Sequence, residues 1–367
     1  MVSQEFSTAA FRVGHSQISN TQMGIDNSGN VLYSQTLGQA FNDTAAQVIA
    51  NGVDGLLRNL SSDPSQATDV YVVDGLRNEL LAPPDTIDLV AIDIQRGRDL
   101  GLNTLNETRQ ALGLAPYTSF AELTSDPTVQ ANLQAVYGSI DKVDLFMGGL
   151  AENHAPGAVV GPTFQAIIAA QFTALRAGDR FFWQNEAFDP ATARMIGSTT
   201  LSDIIRRNTK TPAMQQDAFI ATQRHSSDVA AEDPNAPQLV IGVDTAGATI
   251  AGGPADDTIV AGLGADQLLT GGGGKDVFMF IGSKHVDTIT DYSPGVDRLD
   301  FTQVPSGLGI HDLTLKTAAD GSAVVHFNGN SITLAGVRPD QLSISDFLFN
   351  DHAATAQQVK PDFHSSV

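Results

Sequence analysis

The chain has 367 residues, enough for two domains with cores of their own. Twenty basic residues against 41 acidic ones give a formal charge of −21, which argues against nucleic acid or an anionic membrane surface as a partner. Cysteine is absent, which excludes a disulfide framework, thiolate catalysis and zinc–cysteine sites, and no apolar run approaches the about 18 residues of a membrane span.

The chain opens Met1-Val2-Ser3-Gln4-Glu5, with neither a basic start nor a long apolar stretch, so no secretory signal is expected there. Ala9-Ala10-Phe11-Arg12-Val13-Gly14-His15-Ser16 follows and is predicted helical. Arg12 and His15, three apart, then share one face. A histidine on an apolar helix can ligate haem iron and a neighbouring arginine can pair a propionate, although a lone histidine in that setting is more often a satisfied core residue.

Helical periodicity recurs over 40–60, 119–137 and 163–176, punctuated by Asp63-Pro64, Pro83-Pro84 and Asp126-Pro127. Gln165, Gln171 and Arg176 mark the last segment as a core helix. Between these lies Asp88-Leu89-Val90-Ala91-Ile92-Asp93-Ile94-Gln95-Arg96-Gly97-Arg98-Asp99, a dense charged cluster in which Asp93 and Arg96 are again three apart. It suits either a site or an Arg/Asp network tying helices together. Residues 143–152 and 160–164, with the Leu175-Arg176-Ala177-Gly178-Asp179-Arg180-Phe181-Phe182-Trp183 stretch, look structural: glycine turns, a proline near a helix start and an aromatic closure.

These patterns predict a mostly α domain over 1–222, a polar linker over 223–238, a β-rich domain over 239–349 and a tail over 350–367. The β-rich domain carries a tandem array with the pattern Gly-Gly-x-Gly-x-Asp-x-U-x, where U is a large apolar residue. Its units are Gly252 to Val260, Ala261 to Leu269 and Gly271 to Met279, with Thr270 as a one-residue insertion. That is the nonapeptide calcium repeat of a parallel β-roll. Gly253, Gly262, Gly264, Gly272 and Gly274 permit tight turns, and Asp257, Asp266 and Asp276 supply the oxygen ligands that calcium takes. Asp257 and Asp276 are expected to stack on one edge and share an ion, with Asp266 on the other edge. Ile259, Leu268 and Phe278 are expected to point into the roll. A flexible glycine linker is the competing explanation, but linkers do not place Asp and an apolar residue at fixed offsets. The alternating segments 286–292 and 297–301 are predicted as strands capping the roll.

From about 246 to 349, ending Ile344-Ser345-Asp346-Phe347-Leu348-Phe349, the tail resembles the calcium-binding RTX region of proteins exported by bacterial type I secretion. The resemblance implies calcium as a bound ion, the type I secretion machinery as a partner, and a secreted, extracellular location reached without an N-terminal signal peptide.

Taken in order, the four segments of the helical part resemble the C-terminal half of the catalytic domain of the animal-type haem peroxidases, over about 5 to 219. The resemblance implies haem b held by His15 as the proximal iron ligand, with Arg12 near a propionate, Arg96 near the haem, and Asp93 bonded to the proximal histidine where the mammalian enzymes usually carry Asn. A carboxylate there would give the imidazole more anionic character and favour the ferric state. Hydrogen peroxide and a small donor or halide are the implied substrates. The distal histidine and arginine of the family precede the proximal histidine by a long stretch, and only fourteen residues precede His15 here, so no distal catalytic residue is identified. A fragment of a full enzyme, one half of a split enzyme whose N-terminal half is a separate partner, and a vestigial module all fit that pattern. The competing function is a non-enzymatic, calcium-dependent extracellular surface or matrix protein.

Overall fold

The structure, a computed structural model, describes residues 1–81, 86–215, 217–282, 285–304 and 308–349. The Pro83-Pro84 break and the tail over 350–367 lie outside the described residues. Among the described residues no helix is long and apolar enough to cross a membrane. The chain forms two compact units, one of residues 1–22, 35–46 and 65–187, the other of 23–34, 47–64 and the rest from 188 onward.

The first unit is helical because its apolar residues recur at helical spacing and its breaks are chemically marked. Asp126 caps Pro127–Tyr137 by accepting from the amides of Thr128 and Val129, Pro127 stands at the first helical position, and Gly138 closes the helix at φ +70°. Thr104 and Glu107 form a reciprocal capping box on Leu105–Ala111. The predicted helix over 163–176 is Pro162–Gly178. The periodic segment 40–60 is broken into three short helices, Leu37–Phe41, Ala45–Asn51 and Asp54–Leu60, the last of which belongs to the second unit. Phe6, Ala9, Ala10, Leu105, Leu123, Leu145, Phe146 and Phe164 build the unit's core. Gly149 packs so closely on the ring of Phe164 that a Cβ would overlap it, which is how Leu145–Ala151 and Pro162–Gly178 reach contact.

The second unit is dominated by a parallel β-solenoid of about four turns. One six-stranded sheet runs, in spatial order, Phe347–Leu348, Arg298–Gln303, Val277–Ile281, Thr258–Val260, Gln238–Ile241 and Gln223–Ser226, all parallel. The other runs Thr314–Thr317, Ala323–Phe327, Asn330–Leu334, Val286–Ile289, Leu268–Thr270 and Thr249–Ala251, antiparallel only at its first two pairings. The interior holds two stacked columns, Val240, Ile259, Phe278 and Leu299 in the first sheet and Ile250, Leu269 and Ile289 in the second. The predicted capping strands form at Val286–Ile289 and Arg298–Gln303.

Two expectations need correction. The segment 223–238, read as a linker, supplies the solenoid's first strand, Gln223–Ser226, which pairs in register with Gln238–Ile241. Its Gln-Arg-His-Ser sequence carries no apolar alternation, so nothing in the pattern announces it. In the second repeat Leu268 is 42% exposed and Leu269 fills the interior, pairing with Ile250. The extra residue therefore falls before the strand and not at Thr270.

Candidate functional site: a buried carboxylate behind His15

Ala10–His15 folds as a 310 helix, continuing the turn begun by Gln4–Thr8. Residues three apart eclipse in this geometry, so Arg12 and His15 project from one side. Both reach Asp93, which is fully buried on the helix Leu89–Asp99. His15 Nδ1 lies 2.5 Å from Asp93 Oδ2, and Arg12 Nη1 donates to Asp93 Oδ1. A carboxylate only accepts, so the ring proton sits on Nδ1 and Nε2 keeps a lone pair. No hydrogen bond from Nε2 occurs among the described residues, and the His15 side chain retains 27% exposure.

The family resemblance implies Arg12 near a propionate. The structure commits it to Asp93 and, through Nε, to the carbonyl of Ser7 at 3.2 Å. Arg12 therefore shares the negative charge that Asp93 offers His15, which tempers the anionic character of the imidazole. Arg96, one turn beyond Asp93, is exposed and its guanidinium has no partner among the described residues, so it is free to meet an anionic group.

The helix that carries Asp93 is fixed at both ends. Asp88 accepts from the amide of Ala91 at 3.0 Å, and Arg98 grips both carboxylate oxygens of Asp144, at 3.0 and 2.6 Å. Tyr137 Oη donates to the same Asp144 at 2.8 Å, and burial pushes its ionisation up. The charged segment 88–99 is thus a helix-tying network at Arg98 and a site at Asp93.

Sequence reasoning missed a second buried ion pair. Glu152, 2% exposed, accepts from Arg109 Nη1 at 2.5 Å, from Thr163 Oγ1 at 2.6 Å and from Tyr117 Oη at 2.9 Å. Burial, then the charge of Glu152, holds the Tyr117 phenol protonated. Gly161 leaves the space this carboxylate occupies. Gly148 and Gly149, expected in a turn, lie within the helix Leu145–Ala151, and only the adjacency of Glu152 to them hints at the pair in the sequence.

In the solenoid, Asp257 and Asp276 stand in one column, and the column extends to Asp297. Each carboxylate accepts the amide of the turn before it: Gln238 N to Asp257 at 2.7 Å, Asp257 N to Asp276 at 2.9 Å, Asp276 N to Asp297 at 3.0 Å. Burial raises all three, with Asp276 reaching about 7 as the charges of Asp297, Asp257 and Asp291 add to it. Asp266 lies outside this column. It is exposed, at φ +60°, and Gln267 holds the equivalent position on the other edge, donating its amide to Asp287 at 3.1 Å. Gly272 and Gly274 take φ of +100° and +107°, and a Cβ on either would collide with the turn beneath. Gly253, Gly262 and Gly264 likewise press on backbone of an adjacent turn. Among the described residues no group of three or more His, Asp or Glu side chains converges as a ready metal cluster.

A nitrogen donor held in one tautomer by a buried carboxylate suits an iron porphyrin, whose axial histidine is oriented in this way. The helical part and its His15–Asp93 site are those of a haem peroxidase-like protein. The chain belongs to the animal haem peroxidase family, whose model matches residues 1–219. It is 37% identical over 210 residues to peroxinectin A of Dictyostelium discoideum, covering 57% of this chain and 39% of that protein. It is also 37% identical over 234 residues to thyroid peroxidase of Sus scrofa, covering 59% and 25%. The structure of peroxidase A from Dictyostelium discoideum superposes with a TM-score of 0.54 at 34% identity, over 60% of this chain and 43% of that one. The chain thus spans well under half the length of these relatives.

Proposed function

We propose that this chain supplies the proximal side of a haem peroxidase that oxidises small donors or halide with hydrogen peroxide. The observation that carries the proposal is the His15–Asp93 contact at 2.5 Å, with Nε2 unpartnered among the described residues. His15 Nε2 would hold the iron, Asp93 would keep the proton on Nδ1, and Arg12 would fix Asp93 from its other oxygen. The exposed Arg96 would meet an acidic group at the porphyrin edge. Bound haem supplies the redox-active iron that reacts with peroxide. Hemin titration of the full chain tests this: a Soret band that saturates at one equivalent and is lost in His15→Ala supports it, and equal binding by both proteins contradicts it.

We further propose that the solenoid binds calcium, and that the protein is exported by type I machinery and works outside the cell. Three stacked, buried carboxylates at Asp257, Asp276 and Asp297 repel one another, and a hard cation bound to oxygen relieves that repulsion. The glycine–aspartate repeat supports the same view.

A further inference from the structure

Arg58 and Arg224 are buried cations of the second unit that the peroxidase reading does not use. Arg58, on the helix Asp54–Leu60, is 6% exposed, and Arg224, on the strand Gln223–Ser226, is 8% exposed. Among the described residues their side-chain hydrogen bonds all go to neutral carbonyls. Arg58 donates Nη1 to Ile25 at 3.1 Å and Nη2 to Lys210 at 2.5 Å; Arg224 donates Nη1 to Ala213 at 2.8 Å. No carboxylate forms a salt bridge with either among the described residues. Arg58 Nε and Arg224 Nε and Nη2 are buried N–H groups without a partner among the described residues.

The hydroxyls of Thr211 and Thr222 are buried and unpartnered in the same stretch of chain. Thr211 follows the carbonyl that Arg58 holds, and Thr222 precedes Arg224 by two residues, its amide turned to Ser61 one turn beyond Arg58. The two guanidiniums hold carbonyls only three residues apart, Lys210 and Ala213, and so sit on one short stretch of chain; in keeping with that, burial and then the charge of Arg58 depress Arg224 to about 9, with Asp26 opposing. Burial depresses Arg58 also, with Asp54 and Asp26 opposing.

A buried charge is stable only when paired, and an unmade bond from a charged donor costs more than one from a neutral donor. Water could accept from the free N–H groups but brings no charge. The unpartnered groups on the arginines only donate; Gln215 Oε1, buried and unpartnered among the described residues, is an acceptor that a threonine hydroxyl or a water can serve, and neither brings charge. What the two arginines lack is an acceptor that carries negative charge. We infer that Arg58 and Arg224 form an internal site for a small monovalent anion of the halide class, held by Arg58 Nε and by Arg224 Nε and Nη2. Such an ion would be structural, locking the helix Asp54–Leu60 to the first strand of the solenoid.

The test uses the full chain. Crystals soaked in bromide, measured at the bromine absorption edge, should show an anomalous peak between the two guanidiniums. In solution, replacing gluconate with chloride at constant ionic strength should raise the Tm saturably, and Arg224→Gln should abolish that rise. No bromine peak between Arg58 and Arg224, or an identical chloride response in Arg224→Gln, overturns the inference. If Arg224→Gln does not fold, the bromine map of the unaltered protein decides alone.

Discussion

The Nδ1 of His15 and the Oδ2 of Asp93 are 2.5 Å apart, although 78 residues of chain separate them. The carboxylate is fully buried and the imidazole is not, so the pair fixes the ring from inside and leaves its outer nitrogen open. A hydrogen bond to a charged partner contributes about 1.5–3 kcal/mol, enough to hold one tautomer and one ring orientation.

Asp93→Asn should therefore raise the ferric–ferrous midpoint potential of the haem-loaded protein, because a neutral amide returns less electron density through the imidazole than a carboxylate does. Arg12→Ala should lower it, since the guanidinium no longer draws charge from Asp93. Spectroelectrochemical titration measures both. Equal potentials in the three proteins would mean that Asp93 does not act on the iron ligand.

Glu152→Ala should destabilise the helical unit by about 3–5 kcal/mol, because it strands the buried Arg109 without its counter-charge. Denaturant unfolding gives the value. A loss below about 1 kcal/mol would show that the pair is hydrated and not locked in the core.

In calcium-free solution the solenoid should be more stable at acid pH than at neutral pH. The folded-state pKa of Asp276 is raised to about 7, so its protonated form suits the fold. The corresponding stability is fully present below the ordinary carboxylate range and is lost as pH rises through about 7. Melts of the full chain with a chelator from acid to neutral pH should show a falling second transition, flattened in Asp276→Asn. Calcium should reverse the fall at neutral pH. A transition indifferent to pH would contradict the repulsive column.

Gly272→Ala should destabilise the solenoid by more than about 1 kcal/mol, since the residue sits at φ +100° against the carbonyl of Gly253. Gly113→Ala, at φ +75° with open space around it, should cost less. Similar losses at both positions would show that stacking clearance is unimportant.

The two-part architecture was legible because helical spacing and the glycine–aspartate repeat are strong local signals. The shared face of Arg12 and His15 was also legible, since three-residue spacing brings side chains together in a 310 helix as well as in an α-helix. That Asp93 would close on His15 was visible only through family resemblance, and its bond to Arg12 was not visible at all, because no local pattern states a contact across such a span of chain. Asp297 and the strand Gln223–Ser226 are hard to see in the sequence because Asp297 keeps only one of the repeat's glycines, Gly295, and the strand keeps none. The register of the second repeat was misjudged at Leu268, where two adjacent leucines offer the same pattern and only packing chooses between them.

The most direct test of the account is the resonance Raman spectrum of the ferrous, hemin-loaded chain. An iron–imidazole stretch should be present in the unaltered protein, shift in Asp93→Asn and vanish in His15→Ala. A stretch that persists in His15→Ala would place the iron on another residue and contradict the assignment of His15.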